Sequence, residues 1–116
     1  VADVGDFLGA RAEAARTAGV HPESILLDPG LGFGKSVDQN WELIHGTRRL
    51  VDRGWPLLGG ASRKSFLERL CGPDVPPDQR DEASIEASRI QFRGGIRVFR
   101  VHAVARHRES LGDRGN

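Results

Sequence analysis

Asp28, Lys35, Lys64, Arg100 and His102 are the residues of this sequence whose types and neighbours suit them to chemistry. Asp28 closes the apolar run Ile25-Leu26-Leu27 and opens Pro29-Gly30-Leu31-Gly32-Phe33-Gly34-Lys35-Ser36, where three glycines fall within five positions. Such a loop can take positive φ and bring its backbone close to a ligand. Phe33 has only glycine on either side, so a ligand could supply its cover. Taken alone, Asp-Pro-Gly reads first as a carboxylate capping a turn, with Phe33 tucked under the loop. Ser62-Arg63-Lys64-Ser65 directly follows a second apolar run, and a strand that runs into a helix start aims backbone N–H groups at whatever sits there. An anion is the natural occupant. Arg100-Val101-His102 ends a third such run.

Two familiar glycine motifs fail on spacing. A phosphate-binding P-loop needs a glycine where Pro29 stands, and proline offers no N–H to a phosphate. A dinucleotide fingerprint needs its third glycine where Lys35 stands. The basic residues sharpen the choice of site: 15 of the 17 are arginine, and the two lysines, Lys35 and Lys64, both lie in these motifs. A lysine kept where the chain otherwise uses arginine suggests a place that needs a compact ammonium.

Together, Asp28-Pro29-Gly30-Leu31-Gly32-Phe33-Gly34-Lys35, Ser62-Arg63-Lys64-Ser65 and Arg100-Val101-His102, in this order and at about this spacing, resemble dihydropteroate synthase, a pterin-binding (β/α)8-barrel enzyme of folate synthesis. The resemblance runs over nearly the whole chain. It implies condensation of 6-hydroxymethyl-7,8-dihydropterin diphosphate with p-aminobenzoate to give 7,8-dihydropteroate and diphosphate. By resemblance, Asp28 accepts from the pterin's N–H and NH2 groups, and Lys64 donates to its acceptor side. Arg100 stacks on the pterin and, with His102, contacts the diphosphate. Lys64, Arg100 and His102 are then the catalytic set, while Gly32, Phe33 and Ser65 hold p-aminobenzoate, whose place sulfonamides compete for. The resemblance also implies Mg²⁺, with no ligand for it in this chain, and a homodimeric parent that pairs through late helices. Lys35 either touches ligand or supports its loop. Ala103 stands where the family usually has an aspartate after Arg-Val-His. Glu86, Ser88, Arg89 and Gln91 stand where it tends to be small or apolar, which implies looser packing of that helix. An alternative is therefore a divergent paralogue that binds pterin without synthase activity.

The elements that must position these residues alternate regularly. Phe7, Ala10, Ala14 and Ala18 recur at helical spacing, so a first helix is expected to bury that face, with an aspartate cap before it and a stop at Gly19. A strand then ends at Asp28. Ser36 or Asp38 caps a second helix on which Trp41, Ile44 and Val51 share a face, ended by Gly54; Asn40 either orients the glycine loop or only serves its own first turn. The second strand, 55–61, leads into a helix from near Lys64 that carries Phe66, Leu67 and Leu70. After a proline-rich loop, a helix runs from Asp81-Glu82 to Gly94-Gly95, followed by a strand over 96–101 and a helix over 103–111. This order predicts parallel strands joined by crossover helices. Periodicity leaves a barrel and an open sheet equally possible; the resemblance selects the barrel. The expected fold is α/β, a partial (β/α)8 TIM barrel of about three C-terminal strand-helix units, with residues 1–116 part of a single domain.

Composition bounds the rest. A chain of 116 residues is shorter than the roughly 200 a whole barrel takes, and it begins at Val1 without methionine, so it is read as a fragment lacking an N-terminal part. Alone it is expected to fold marginally, as an oligomer or molten species, and to be inactive, because its outer strands lack partners. No apolar run nears the ~20 residues of a membrane span. The formal net charge of +1 gives no argument for nucleic acid or membrane partners. One cysteine, Cys71, makes no internal disulfide, which fits the cytoplasm.

Overall fold

The helix that follows Ser36 begins where a short polar residue can satisfy free backbone N–H groups. Ser36 does this fully: its hydroxyl accepts from the Gln39 N–H at 3.1 Å while the Gln39 side chain accepts from the Ser36 N–H at 2.9 Å, a reciprocal capping box. The computed structural model describes residues 1–32 and 34–112. Its elements are α1 (Ala2–Thr17), α2 (Val37–His45), α3 (Thr47–Val51), β1 (Leu58–Gly59), α4 (Glu68–Cys71), α5 (Asp81–Gly94), β2 (Val98–Phe99) and α6 (Val104–Leu111). Short 3₁₀ turns at Pro22–Ser24, Ser65–Leu67 and Pro77–Gln79 join them.

β1 and β2 pair in parallel, Leu58 with Val98 and Gly59 with Phe99. The strand expected before Asp28 is reduced to one parallel bridge, Leu27 with Leu57, held by Leu27 N–H to the Pro56 carbonyl and Leu58 N–H to the Leu27 carbonyl. Side chains alternate along a strand, so these pairings put Leu26, Asp28, Leu58, Gly60, Val98 and Arg100 on one face. On the other face Ile25, Leu57 and the half-buried Leu27 and Phe99 pack toward the helices. The helix side is the core, built from Leu31, Trp41, Leu43, Ile44, Leu50, Phe66, Leu67, Ala83, Ala87 and Ile96 among others. Full burial of a side chain such as Ile44 contributes about 1.5–3 kcal/mol. The even-numbered face is open: Leu26 is 45% and Val98 46% exposed, as for the inward face of a barrel whose other strands are not in this chain.

Several elements differ from the sequence reading. α1 has Val1 at its N-cap with no side-chain cap; Asp3 lies in the first turn instead. Its packed face is Val4, Gly5, Leu8 and Ala12, and Phe7 is 64% exposed, because the small residues let the helix lie close to the core. Gly5 gives room to Arg53, which crosses it to reach Asp6 at 2.6 Å. The single helix expected from Ser36 to Gly54 breaks at Gly46 into α2 and α3. The helix expected from Lys64 is a 3₁₀ turn plus the four-residue α4, with Phe66 and Leu67 buried and Leu70 exposed. α5 starts and stops as expected, ending at Gly95 with φ +119°.

Of the polar residues of α5 that the resemblance implies would loosen its packing, Ser88 has a buried partner, whereas Gln91 leaves one buried atom without a partner among the described residues. Ser88 is buried and lies 3.2 Å from His107 Nε2, whose Nδ1 donates to the Ala103 carbonyl at 3.0 Å. That pair docks α6 on α5. Gln91 is 2% exposed, and its Oε1 has no hydrogen-bond partner among the described residues.

Candidate functional site

The carboxyl ends of the three parallel segments carry the residues singled out from the sequence. Asp28, Gly60 and Arg100 stand on the open face. Asp28 Oδ1 accepts from the Gly30 N–H at 2.9 Å, so the carboxylate does cap the turn into the glycine loop. Its Oδ2 lies 3.6 Å from Arg100 Nη2, with both side chains part exposed. An ion pair so exposed adds about 0–1 kcal/mol, so a ligand able to bond either partner can replace it at small cost. A side chain at Gly60 would crowd the site: a Cβ there would stand 3.1 Å from Arg100 Nη2 and 3.8 Å from Lys64 Nζ. The bare backbone at Gly60 lets the two cations converge beside the carboxylate.

Lys64 reaches back across the glycine loop. Its Nζ donates to the Leu31 carbonyl at 2.6 Å, and its stem passes so close to Gly32 that a Cβ there would meet Lys64 Cδ at 3.2 Å. Burial pushes the Lys64 ammonium below the ordinary lysine range; Asp28 opposes this shift, and Arg100 and Lys35 add to it. The proton on Lys64 is therefore easier to remove than on a surface lysine, and its charge is poorly solvated.

The loop conformation has two further supports. Asn40, buried, accepts from the Gly32 N–H at 2.7 Å and donates to the Ser36 carbonyl at 2.9 Å, so it orients the loop as well as its own helix turn. Lys35 Nζ donates to the Gly30 carbonyl at 2.8 Å, which makes it a loop support. Gly32 is exposed beside Lys64. Phe33, expected to cover p-aminobenzoate, lies outside the described residues.

The segment after β1 is clamped to the start of α5. Arg63 has φ +58°, rare for a residue with a side chain. Its N–H donates to Ser84 Oγ at 2.8 Å, its carbonyl accepts from Arg80 Nη1 at 2.8 Å, and its guanidinium forms a fork on Asp81 at 2.8 and 3.1 Å. The Arg63 bond holds the Asp81 carboxyl below its usual range. Ser62 Oγ lies 2.7 Å from His102 Nδ1 and accepts from the His102 N–H at 3.0 Å. Ser65 is exposed at the start of the 3₁₀ turn, which runs directly into α4.

The structure thus brings Asp28, Lys64 and Arg100 together and ties His102 to the same loop through Ser62. The parts played by Ser62, Arg63 and Asp81 carry no sequence signal beyond the motif itself, since their bonds join positions far apart in the chain. Among the described residues no group of three or more His, Cys, Asp or Glu side chains is placed to hold a metal ion. The arrangement suits a flat, polar heterocycle with donors and acceptors along one edge, bearing an anionic substituent.

Comparison with known proteins gives a family, relatives and solved structures to which this chain is similar. The family described as pterin binding enzyme matches residues 1–102. A dihydropteroate synthase of Streptococcus pyogenes serotype M6 is 45% identical over 102 residues, which are 88% of this chain and 38% of that protein. The crystal structure of dihydropteroate synthase from Thermus thermophilus superposes with a TM-score of 0.89 at 41% identity, over 97% of this chain and 44% of that one. Dihydropteroate synthase from Xanthomonas albilineans in complex with 7,8-dihydropteroate gives 0.90 at 40% identity, over 96% of this chain and 42% of that one. This chain spans less than half the length of each.

Proposed function

The chain belongs to the pterin binding enzyme family, and we propose that it supplies the late strand-helix units of a dihydropteroate synthase, as part of a single barrel domain. The substrates are 6-hydroxymethyl-7,8-dihydropterin diphosphate and p-aminobenzoate. The observation that carries this reading is the convergence of Asp28, Lys64 and Arg100 over the bare backbone of Gly60. Asp28 retains acceptor capacity for the pterin's N–H and NH2 groups beyond its bond to Gly30. Lys64, already aimed at a carbonyl oxygen, exchanges Leu31 for the pterin carbonyl. The partly exposed Arg100 leaves Asp28 to stack on the ring and reach diphosphate oxygens.

In the reaction the bond from the pterin CH2 to the diphosphate oxygen breaks, the electron pair leaves with the diphosphate, and the arylamine nitrogen forms the new C–N bond and then loses a proton. Little covalent help is needed from the protein, so positioning and charge stabilisation carry the rate. Arg100 and His102 stabilise the leaving diphosphate, while Gly32, Phe33 and Ser65 flank p-aminobenzoate. Mg²⁺ is part of the same proposal with ligands outside the described residues, and no step above runs through it. The parent is taken as a homodimer of the cytoplasm; no described helix is long and apolar enough to cross a membrane.

The test is an assay of dihydropteroate formation by the full-length protein with Mg²⁺, beside Asp28→Ala and Lys64→Ala. Turnover lost in both variants supports the synthase. A folded full-length protein that binds pterin diphosphate and forms no product makes it a binding paralogue.

A further inference from the structure

We propose that Ser62 is a positioning residue that holds the His102 imidazole in its Nε2–H tautomer, so that the ring meets an anionic diphosphate as a hydrogen-bond donor. The inference rests on the reading of His102 as a diphosphate contact. Ser62 is 5% exposed, and its Oγ faces both nitrogens that His102 offers on that side, the backbone N–H at 3.0 Å and Nδ1 at 2.7 Å. A hydroxyl has one proton and two lone pairs. The backbone N–H can only donate, so it occupies a lone pair. Nδ1 is the acceptor the structure offers to the hydroxyl proton among the described residues; a neutral ring with its proton on Nδ1 would leave that buried hydroxyl proton without an acceptor there, which favours the Nε2–H form. When the ring is protonated, Nδ1–H turns to the remaining lone pair of Oγ and Nε2 keeps its hydrogen. In both charge states Nε2 is a donor.

Without the hydroxyl, a neutral ring is free to carry its proton on Nδ1 and to turn the Nε2 lone pair toward the anion, which repels it. Ser62 thereby couples two loops that end adjacent parallel strands, and its effect on the ligand runs through His102 alone.

The test uses the full-length protein with nitrogen-15 histidine. Long-range proton–nitrogen correlations at alkaline pH, where imidazole is neutral, read the tautomer. Titration with inorganic diphosphate reads affinity in the wild type, Ser62→Ala, His102→Ala and the double variant. The expected results are an Nε2–H ring in the wild type and a tautomer mixture in Ser62→Ala. Affinity falls about tenfold in each single variant, with no added loss when Ser62→Ala is placed on His102→Ala. Ser62→Thr, which keeps the hydroxyl, retains the wild-type tautomer. An Nδ1–H ring in the wild type overturns the proposal, as does a Ser62→Ala loss that persists in the His102→Ala background, which assigns Ser62 to the fold or to the ligand directly. A folded Ser62→Thr protein with the tautomer lost overturns it too. A wild-type Nε2–H ring in a protein that ignores diphosphate supports the clamp and removes the diphosphate reading of His102.

Discussion

Lys64 and Leu31, 33 positions apart, are joined by a 2.6 Å hydrogen bond from the ammonium to the backbone carbonyl. That bond folds the glycine loop over the site and leaves the charge in a partly desolvated place, where it costs stability. Because the folded state holds this proton less tightly than the unfolded chain, the unfolded state binds more protons between the depressed folded value and the ordinary lysine value. Stability therefore rises with pH across that window. Lys64→Met removes this alkaline gain, which thermal midpoints from neutral pH to about pH 10.5 read directly. The same variant loses about tenfold or more in pterin affinity. A Lys64→Met protein whose alkaline stability climbs like the wild type contradicts the assignment.

The Arg63–Asp81 clamp acts at the acid end, where the charge contributes stability rather than costing it. Asp81 is held below the usual carboxyl range by Arg63 first, so its contribution is present above the unfolded value near pH 4 and is lost as pH falls through the lower folded value. Asp81→Asn lowers stability at neutral pH and flattens the acid limb. At Arg63 two losses separate: Arg63→Ala loses the ion pair and keeps the φ of +58° on a residue with a Cβ, whereas Arg63→Gly loses the pair and relaxes the backbone. The glycine variant melts above the alanine variant. The reverse order shows that no strain is stored at this position.

Ser88 and His107 form a buried polar pair whose two sides need one another. Ser88→Ala strands the His107 Nε2 acceptor and costs about 1–3 kcal/mol. Ser88→Ala with His107→Leu removes both polar groups and recovers part of that loss. Denaturant midpoints of the two single variants and the double variant check the coupling; strict additivity refutes it.

Gln91 carries an acceptor with no partner among the described residues, lying about where a side chain at Gly59 would go. Gln91→Met keeps the length of the side chain and removes the buried polar atom, for a gain of about 1 kcal/mol. A melting point unchanged or lowered by Gln91→Met shows that Oε1 is satisfied in solution.

Local chemistry made much of this legible in the sequence. Asp81-Glu82 and Gly94-Gly95 mark the ends of α5, because acidic residues favour the positive end of a helix and glycine accepts the φ of +119° at its stop. Asp28, Lys64 and Arg100 could be placed together because each ends or follows a strand, and parallel strands bring those ends to one side. What was not legible depends on partners distant in sequence. Phe7 is the largest apolar residue of α1, yet Gly5 and Ala12 decide its packed face by allowing close approach. The first strand shrinks to the Leu27–Leu57 bridge because strand length depends on neighbouring chain, and periodicity carries no account of neighbours. The φ of Arg63 is fixed by Asp81, Ser84 and Arg80, 17 to 21 residues away.

The open strand face also bears on the isolated chain. Leu26 and Val98 present apolar surface beside unpaired strand edges, which favours association. Sedimentation of the 116-residue chain is expected to show oligomers; a monomer with a sharp, cooperative melt contradicts this.

The most direct test of the central claim is calorimetric binding of the pterin diphosphate to the full-length protein and to its Asp28→Asn variant, with circular dichroism showing both folded. The carboxylate that Gly30 and Arg100 hold in place is the proposed pterin acceptor. Asp28→Asn, which turns one acceptor into a donor facing the pterin's own donors, is predicted to weaken binding by about tenfold or more. Wild-type affinity in a folded Asp28→Asn protein would contradict the account, because the pterin would then be held somewhere else.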